Sequence, residues 1–202
     1  MTKKFIYLAS ASPRRRALLD QIGVPFRVLA SSVSEARHDN EHPEAYVERI
    51  AADKADQVWA RVADSEPAPV LAADTAVVVG NEVFGKPGNA DEALAMLGRL
   101  SGRSHQVLTA IALRWQSHRD GLVSSSEVRF RATTEAERKA YCRSEEPFDK
   151  AGAYAIQGLS ALFVEHLSGS YSAVMGLPLC ETAKLLGRFG LPPWLANGVI
   201  QA

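Results

Sequence analysis

Residues 70–79 read Val-Leu-Ala-Ala-Asp-Thr-Ala-Val-Val-Val, a nearly continuous apolar run that is broken only by Asp74 and Thr75. Such a run predicts a strand that is buried on both faces, as at the centre of a sheet. A carboxylate cannot be left unpaired in that position, because burying a lone charge is costly. Asp74 therefore requires a basic partner, a metal ion or a water molecule, and we favour a functional role over a purely structural ion pair.

Strands and helices alternate around this run. Strands are predicted at residues 5–9, 24–28 and 83–84, at 105–115 and 122–131 as a long hairpin, and at 154–156 and 162–164. Helices are predicted at residues 13–22, 43–62, 90–100, 135–143 and 178–189. Prolines open the first, second and last of them, and the predicted caps are Ser12, Asn89 and the capping box Thr134-x-x-Glu137. The order predicts an α/β (mixed α+β) fold around one mixed sheet, because the long hairpin excludes an all-parallel sheet.

The composition is that of an ordinary globular protein. Hydrophobic residues make up 47% of the 202 residues, and 23 Lys and Arg balance 23 Asp and Glu. A neutral chain lacks the bulk positive field of non-specific DNA binding, so we expect no nucleic-acid partner. The length suits a single domain, which we place at residues 1–190, followed by a peripheral C-terminal tail at 191–202.

The cysteine count indicates the compartment. Cys142 and Cys180 are the two cysteines of the chain, too few for a disulfide framework, and they form no Cys-x-x-Cys pair. We therefore expect a reducing, cytoplasmic location and core positions for both thiols. No run of about 18 apolar residues occurs, so no membrane span and no membrane partner are predicted. The five histidines show no metal-ligand spacing.

A basic turn, Ser-Ala-Ser-Pro-Arg-Arg-Arg, follows the first predicted strand. Three arginines at a helix N-terminus have the wrong sign for the helix dipole, and a bound anion would compensate both. A phosphate there would meet backbone N–H groups, the hydroxyls of Ser10 and Ser12, and a guanidinium. We assign phosphate binding to Arg14, and we expect Arg15 and Arg16 to be a solvated basic turn.

Lys54 breaks the pattern of the long predicted helix. It falls on the same apolar stripe as Ile50 and Val58, where most helices carry no lysine. An inward lysine either extends its ammonium to solvent or reaches into a polar site, and periodicity leaves both interpretations open.

Residues 80–86 match Gly-x-x-x-x-Gly-Lys, the start of a phosphate-binding P-loop. Pro87, however, stands where Ser or Thr must hold magnesium, and Val83 and Phe84 are typical of a strand. The pattern therefore argues weakly for a P-loop kinase. Lys86 remains a candidate phosphate contact, with an exposed turn lysine as the alternative.

Gln157 lies near the end of Asp-Lys-Ala-Gly-Ala-Tyr-Ala-Ile-Gln-Gly, residues 149–158. The small residues of this segment allow close backbone approach. A side-chain amide both donates and accepts hydrogen bonds, which suits recognition of a base edge. The alternative interpretation is an ordinary turn glutamine.

Four motifs together resemble the Maf family of nucleoside triphosphate pyrophosphatases. They are Ser10-Ala11-Ser12-Pro13-Arg14-Arg15, Ala73-Asp74-Thr75, Gly85-Lys86-Pro87 and the segment from Asp149 to Gly158. The resemblance runs in order from about Tyr7 to Phe189, and Ala11 stands where glycine is also common in the family. It implies an elongated mixed sheet flanked by helices, with two lobes around a cleft, related to the inosine triphosphatases. It also implies a homodimer.

The resemblance further implies a reaction and its residues. A nucleoside triphosphate and water would give the monophosphate and pyrophosphate with a divalent cation, Mg²⁺ or Mn²⁺. Asp74 matches the family's proposed catalytic base, and Arg14, Thr75 and Gln157 match positions tied to specificity. Glu35, Lys54 and Lys86 match polar residues of the cleft.

The residues themselves fit that chemistry. Arg14, Lys54 and Lys86 would neutralise the triphosphate and the leaving pyrophosphate. Glu35 and Asp74 are candidate ligands of the cation. Asp74 is equally a candidate to accept the proton of the attacking water, and the sequence does not choose between these roles.

The substrate base can be argued from Gln157. Its amide can donate to O4 of uracil or thymine and accept from N3–H, whereas a carboxylate would suit the donor-rich edge of guanine. The family's 7-methyl-GTP branch has that glutamate and lacks the Asp-Thr pair, so we expect dTTP and UTP as substrates. The main alternative function is a nucleotide-binding regulator of septum formation and cell division; a 7-methyl-GTP pyrophosphatase and a P-loop-type kinase rank below it.

Overall fold

A seven-stranded mixed sheet organises residues 5–192, the part of the chain that the computed structural model describes. The strands are β1 (Ile6–Leu8), β2 (Phe26–Val28), β3 (Val70–Val79), β4 (Glu82–Phe84), β5 (Ser104–Trp115), β6 (His118–Phe130) and β7 (Val164–Ser168). Their order is β2-β1-β3-β5-β6-β7, and β4 pairs with β3. The pairs β1–β2 and β1–β3 are parallel and the others antiparallel, so the predicted mixed sheet is confirmed.

Six α-helices accompany the sheet in the described residues: α1 (Pro13–Gln21), α2 (Pro43–Val62), α3 (Ala90–Leu100), α4 (Glu135–Cys142), α5 (Tyr171–Val174) and α6 (Leu179–Arg188). The capping signals act as predicted at two of them. The side chain of Asn89 accepts a hydrogen bond from the backbone N–H of Glu92, and Thr134 and Glu137 form a reciprocal capping box. Ser12 precedes α1 as predicted, but its hydroxyl caps no backbone N–H group.

The central strand separates three hydrophobic clusters. Its even-numbered apolar residues, such as Ala72 and Val78, pack with α2 on one face. On the other face, Leu71 and Ala73 join a cluster built with α1 and α6, while Val77 joins one built with α3 and α4. The two clusters on this face form the cores of two lobes, with residues 74–76 between them.

A gap in the sheet lies at the same point. β5 pairs with β3 along residues 70–78, which occupies one edge of the strand. On the opposite edge β1 pairs with residues 70–71 and β4 with residues 77–79. Residues 72–76 have no strand partner on that edge within the described chain, so both faces of the sheet open onto the space beside Asp74 and Thr75.

Several predicted elements differ from the structure. Residues 154–156 form no strand: Gly152 and Ala153 adopt positive φ angles, and a hydrogen bond from Gly158 N–H to the Ala155 carbonyl turns the chain. Residues Leu159–Phe163 form a 3-10 helix, so the strand predicted at 162–164 begins only at Val164. In addition, β6 begins at His118 after a two-residue turn, and the short α5 was not predicted. Cys142 packs against the core as predicted, whereas Cys180 is exposed, so the predicted core position for Cys180 is wrong.

Three further expectations concern the kinase-like pattern, the C-terminal tail and membrane spans. The kinase-like pattern at residues 80–86 contains β4, so this segment is a strand and not a phosphate-binding glycine loop. The predicted tail at 191–202 lies outside the described residues from 193 onward. None of the helices that the structure describes is long and apolar enough to cross a membrane.

Candidate active site

A cleft of about 420 Å³ lies at the gap in the sheet, between the two lobes. The residues that the sequence selected all line it: Ser10, Arg14, Glu35, Lys54, Asp74, Thr75, Lys86 and Gln157. They come from the start of α1, the loop before α2, α2 itself, β3, the segment after β4, and the turn after residue 154. The fold thus brings together side chains that are up to 147 positions apart in the chain.

Lys54 joins two of the three carboxylates that line the cleft, Glu35 and Asp74. Its Nζ atom donates to Asp74 Oδ1 at 2.8 Å and to Glu35 Oε1 at 2.5 Å. Lys54 and Asp74 are both buried, whereas about half of the Glu35 side chain is exposed. The i, i+4 spacing along α2 places Lys54 toward β3, and the alternation of β3 turns Asp74 toward α2. The inward lysine therefore reaches into a polar site.

The two carboxylates differ in proton affinity. Burial raises the pKa of Asp74 above its ordinary value, although the charge and hydrogen bond of Lys54 oppose the shift. Burial acts on Glu35 too, but the hydrogen bond and charge of Lys54, with Lys86 and Arg15, hold its pKa below the ordinary value. The surroundings therefore favour proton uptake by the deeper carboxylate, Asp74, and disfavour it at Glu35.

Arg15 occupies the cleft, so the prediction of a solvated position for it is wrong. Its guanidinium donates to the Gly176 carbonyl at 2.8 Å, to Ser10 Oγ at 3.1 Å and to Thr75 Oγ1 at 3.1 Å. Burial lowers its pKa, while the charge of Asp74 raises it. Arg16, by contrast, is exposed as expected. Arg15 lies three and four residues before the core residues Leu18 and Leu19, and this helical spacing predicts a side chain on the inward face of α1.

Thr75 is held by a chain of hydroxyl groups. It accepts a hydrogen bond from Arg15 and lies 3.0 Å from the hydroxyl of Thr109, which donates to the Ala173 carbonyl at 2.8 Å. Thr109 is fully buried and stands opposite Thr75 in the β3–β5 register. Because this pairing depends on strand register, no local sequence signal identifies Thr109.

The other cations and Gln157 have fewer protein partners. Arg14 Nε donates to the Met175 carbonyl at 3.4 Å, a long contact, and burial lowers its pKa against the opposing charges of Asp149 and Glu146. Gln157 is exposed at the mouth of the cleft. Guanidinium and amide groups of this kind are available to a ligand.

Tyr46 is a further residue of the cleft that the sequence analysis missed. Its hydroxyl donates to the backbone carbonyl of Glu35 at 3.0 Å, which fixes the loop that carries this carboxylate. Burial and the nearby charges of Asp74 and Glu35 raise its pKa to about 12, so it stays a neutral donor. Tyr46 precedes Ile50 and Lys54 by four and eight residues, so the stripe of α2 contained the signal.

The site offers a divalent cation two carboxylates. Oδ1 of Asp74 and Oε1 of Glu35 both contact Lys54, and each group has a second oxygen. The described residues contain no group of three or more His, Cys, Asp or Glu side chains that could hold a metal ion. Two carboxylates with substrate phosphates completing the shell is a common arrangement for Mg²⁺. The donor set therefore fits a cation that binds together with a polyphosphate.

Comparison with known proteins identifies the family of this chain. The sequence profile of a family described as Maf-like protein matches residues 5–189. The chain belongs to the Maf family. A dTTP/UTP pyrophosphatase of Saccharophagus degradans is 49% identical over 191 residues, covering 94% of this chain and 90% of its own. Proteins of the same name from Xanthomonas axonopodis pv. citri and Methylococcus capsulatus are 50% and 52% identical, covering 92% of this chain and 98% and 91% of theirs.

Two solved structures overlap with the chain at 15% sequence identity. The Staphylococcus aureus Ham1 protein gives a TM-score of 0.41 and covers 79% of this chain and 91% of its own. A nucleoside-triphosphatase / dITP/XTP pyrophosphatase from Mycobacterium abscessus gives a TM-score of 0.42 and covers 98% and 99%.

Proposed function

We propose that the protein is a nucleoside triphosphate pyrophosphatase that hydrolyses dTTP and UTP, and modified pyrimidine nucleotides of the same shape, in a house-cleaning role. One observation carries the proposal: a buried carboxylate, Asp74, shares a single cleft with five cationic side chains, which are Arg14, Arg15, Lys54, Lys86 and Lys150. The relatives at about 50% identity, which are named dTTP/UTP pyrophosphatase, support it.

The reaction adds one water molecule across the bond between the α- and β-phosphates. The water oxygen bonds to the α-phosphorus, the bond to the bridging oxygen breaks, and pyrophosphate leaves. Asp74 accepts the proton of that water, since burial raises its pKa and favours its protonated form. Lys54 holds the carboxylate in place through Oδ1 and leaves Oδ2 for the water.

The cations stabilise the charge that develops on the leaving pyrophosphate. Arg14 and Lys86 line the cleft from opposite lobes, at the start of α1 and after β4, and so enclose a polyphosphate chain. Fixed positive groups in a partly dry cleft stabilise such charge more strongly than water does. The Ser10 hydroxyl, already held by Arg15, lies beside them as a further contact.

Glu35 and Asp74 are the residues that would hold Mg²⁺ or Mn²⁺. The bound cation would supply positive charge to the phosphate oxygens. The pKa of Glu35 is held low, which keeps this half-exposed carboxylate ionised and suited to a cation. Lys54 would then share its two carboxylates with the metal and the water.

Gln157 and Thr75 select the nucleotide. The exposed amide of Gln157 at the mouth of the cleft can pair with O4 and N3–H of uracil or thymine. Thr75 lies deeper, fixed by Arg15 and Thr109, and limits what enters beside Asp74. Pyrimidine triphosphates are therefore preferred to 7-methyl-GTP.

A panel of nucleoside triphosphates tests the proposal. Pyrophosphate and inorganic phosphate are measured separately in the presence of Mg²⁺ or Mn²⁺. We expect monophosphate and pyrophosphate in equal amounts, fastest from dTTP and UTP, and Asp74→Asn to fold normally while turnover falls about 10²- to 10⁴-fold. Release of inorganic phosphate alone, fastest turnover of 7-methyl-GTP, or near-normal turnover by Asp74→Asn would overturn it.

We also propose that residues 1–190 act as one domain, as a cytoplasmic homodimer without a nucleic-acid partner. The net charge of +0 supports the lack of a nucleic-acid partner, and the two cysteines, too few for a disulfide framework, support the cytoplasmic location. Sedimentation of the purified protein tests the dimer, and filter binding at moderate salt tests for nucleic acid.

A further inference from the structure

The turn that carries Gln157 is closed at its base. Gly158 N–H donates to the Ala155 carbonyl at 2.8 Å, so Ile156 and Gln157 form the tip. Ile156 points into the core and is buried, whereas Gln157 is exposed toward the cleft. The position of the Gln157 amide therefore depends on what fixes the two ends of this turn.

Ser160 fixes the first end. Its fully buried hydroxyl donates to the Ala155 carbonyl at 2.7 Å and accepts from the Ala155 N–H at 3.1 Å. Both backbone groups of Ala155 are thereby satisfied within the turn.

Glu146 fixes the second end. One carboxylate oxygen accepts from the Leu159 N–H at 3.0 Å, and the other accepts from the Tyr141 hydroxyl at 2.8 Å. Tyr141 is buried on α4, so the carboxylate is anchored to the lobe behind the turn. Hydrogen bonds to an ionised acceptor are stronger than neutral ones, which makes this an effective anchor.

Gly158 is explained by the same carboxylate. A Cβ atom at this position would lie 2.3 Å from both oxygens of Glu146, and its three nearest atoms would all belong to that side chain. The φ angle of Gly158 is −106°, so the backbone conformation itself does not require glycine. The glycine therefore leaves room for the carboxylate against the turn.

Glu146 does not line the cleft, so it acts from behind the site. Its charge nevertheless reaches Arg14, where it and Asp149 oppose the lowering of the pKa by burial. One carboxylate thus influences both the turn proposed to contact the base and a guanidinium proposed to contact phosphate.

We propose that Glu146 is a positioning residue that sets base selectivity by holding the Ala155–Gly158 turn, and with it the Gln157 amide, against the nucleotide. The inference rests on the proposed function and deepens it. It predicts that loss of the carboxylate relaxes discrimination between bases more than it slows turnover of the preferred substrate.

The experiment compares kcat and KM for UTP, dTTP, CTP and GTP in wild type, Glu146→Ala, Glu146→Gln, Gln157→Ala and the double variant Glu146→Ala/Gln157→Ala. We expect the ratio of kcat/KM for UTP over CTP to fall about tenfold in Glu146→Ala, mainly through KM, because a hydrogen bond to a charged group has been lost. Glu146→Gln keeps one acceptor oxygen and restores part of the ratio. The double variant should discriminate no worse than Gln157→Ala, because both changes remove the same recognition.

A control variant, a second disruptive variant and an exchange measurement make the outcomes distinct. Glu135→Ala removes an exposed carboxylate of α4 that pairs with Lys139, and the ratio should stay as in wild type. Gly158→Ala keeps the carboxylate but crowds it, and should lower the ratio as Glu146→Ala does. Hydrogen exchange should show faster exchange at the Leu159 amide in Glu146→Ala, while the melting curve stays cooperative.

The failures can be told apart. A wild type that releases no pyrophosphate from any triphosphate would overturn the proposed function and this inference with it. The positioning role alone would be overturned if the wild type discriminates between bases and Glu146→Ala leaves the UTP/CTP ratio of kcat/KM unchanged. It would also be overturned if the losses of Glu146→Ala and Gln157→Ala add up in the double variant.

Discussion

Lys54 Nζ lies 2.8 Å from Asp74 Oδ1, and only 10% and 9% of the two side chains remain exposed. The pair joins the longest helix of the described chain to the centre of the sheet. Burial without a partner would leave either charge strongly disfavoured, so each residue makes the other tolerable in this position. The site and the stability of the fold therefore share this contact.

Lys54→Met should shift the pH dependence of turnover. Burial raises the pKa of Asp74 and Lys54 opposes that shift, so removal of Lys54 raises the pKa further. The acidic limb of kcat against pH should then move to higher pH, because Asp74 with a higher pKa loses its proton only at higher pH. Lys86→Met is the matched control, since it removes a cation of the same cleft that lowers the pKa of Glu35, whereas Lys54 pairs directly with Asp74. An acidic limb that stays in place in Lys54→Met would contradict the role of Asp74 as the base.

Arg15→Lys should lower kcat/KM, by an amount on the order of 10- to 100-fold, although the charge is kept. A lysine cannot reach the Gly176 carbonyl, Ser10 and Thr75 together, as the guanidinium does. Arg16→Lys is the control, because Arg16 follows on the same helix but is exposed. Steady-state kinetics on UTP and dTTP measure both variants; equal activity of the two would show that the three contacts of Arg15 are dispensable.

Thr109→Val should destabilise the protein by roughly 1–3 kcal/mol, because the Thr75 hydroxyl loses its acceptor at a buried position and the Ala173 carbonyl loses a donor, keeping the Gly176 N–H. Valine has nearly the shape of threonine, so the loss reports the hydroxyl and not a cavity. Thr109→Ser keeps the hydroxyl and should recover much of this free energy. Urea unfolding provides the measurement, and a Thr109→Val variant as stable as wild type would remove the hydroxyl chain from the account of the site.

The main elements of the fold follow from local patterns. The apolar run of β3, the stripe of α2 and the capping residues Asn89 and Thr134 each act through neighbours within one or two turns, and the structure has them where they were predicted. The strands predicted within residues 154–164 were wrong for a physical reason. The conformation there is set by contacts with residues outside the segment, such as the Glu146 carboxylate against Gly158. The apolar residues of this segment are typical of strands, but local composition does not contain the contact with Glu146.

The candidate site divides in the same way. Asp74 and Lys54 stood out because each puts a charge in an apolar pattern. Thr109 is an ordinary core threonine until strand register sets it opposite Thr75. Arg15 was misjudged because a run of three arginines usually faces solvent, and only its spacing to Leu18 distinguished it from Arg16.

Glu35→Gln should raise the concentration of divalent cation that gives half-maximal activity. The pKa of Glu35 is held low by Lys54, Lys86 and Arg15, so this carboxylate is ionised through the neutral range, and the amide removes a negative ligand of the same size. The Mg²⁺ dependence of UTP hydrolysis measures the change, and removal of the cation by a chelator should abolish activity in both proteins. Glu41→Gln offers a matched control in the same loop, since Glu41 pairs with Arg49 and does not line the cleft. An unchanged Mg²⁺ dependence in Glu35→Gln would show that Glu35 does not bind the cation. Asp74 would then be the one metal ligand left of the proposed pair, and Glu35 would be only an ion-pair partner of Lys54.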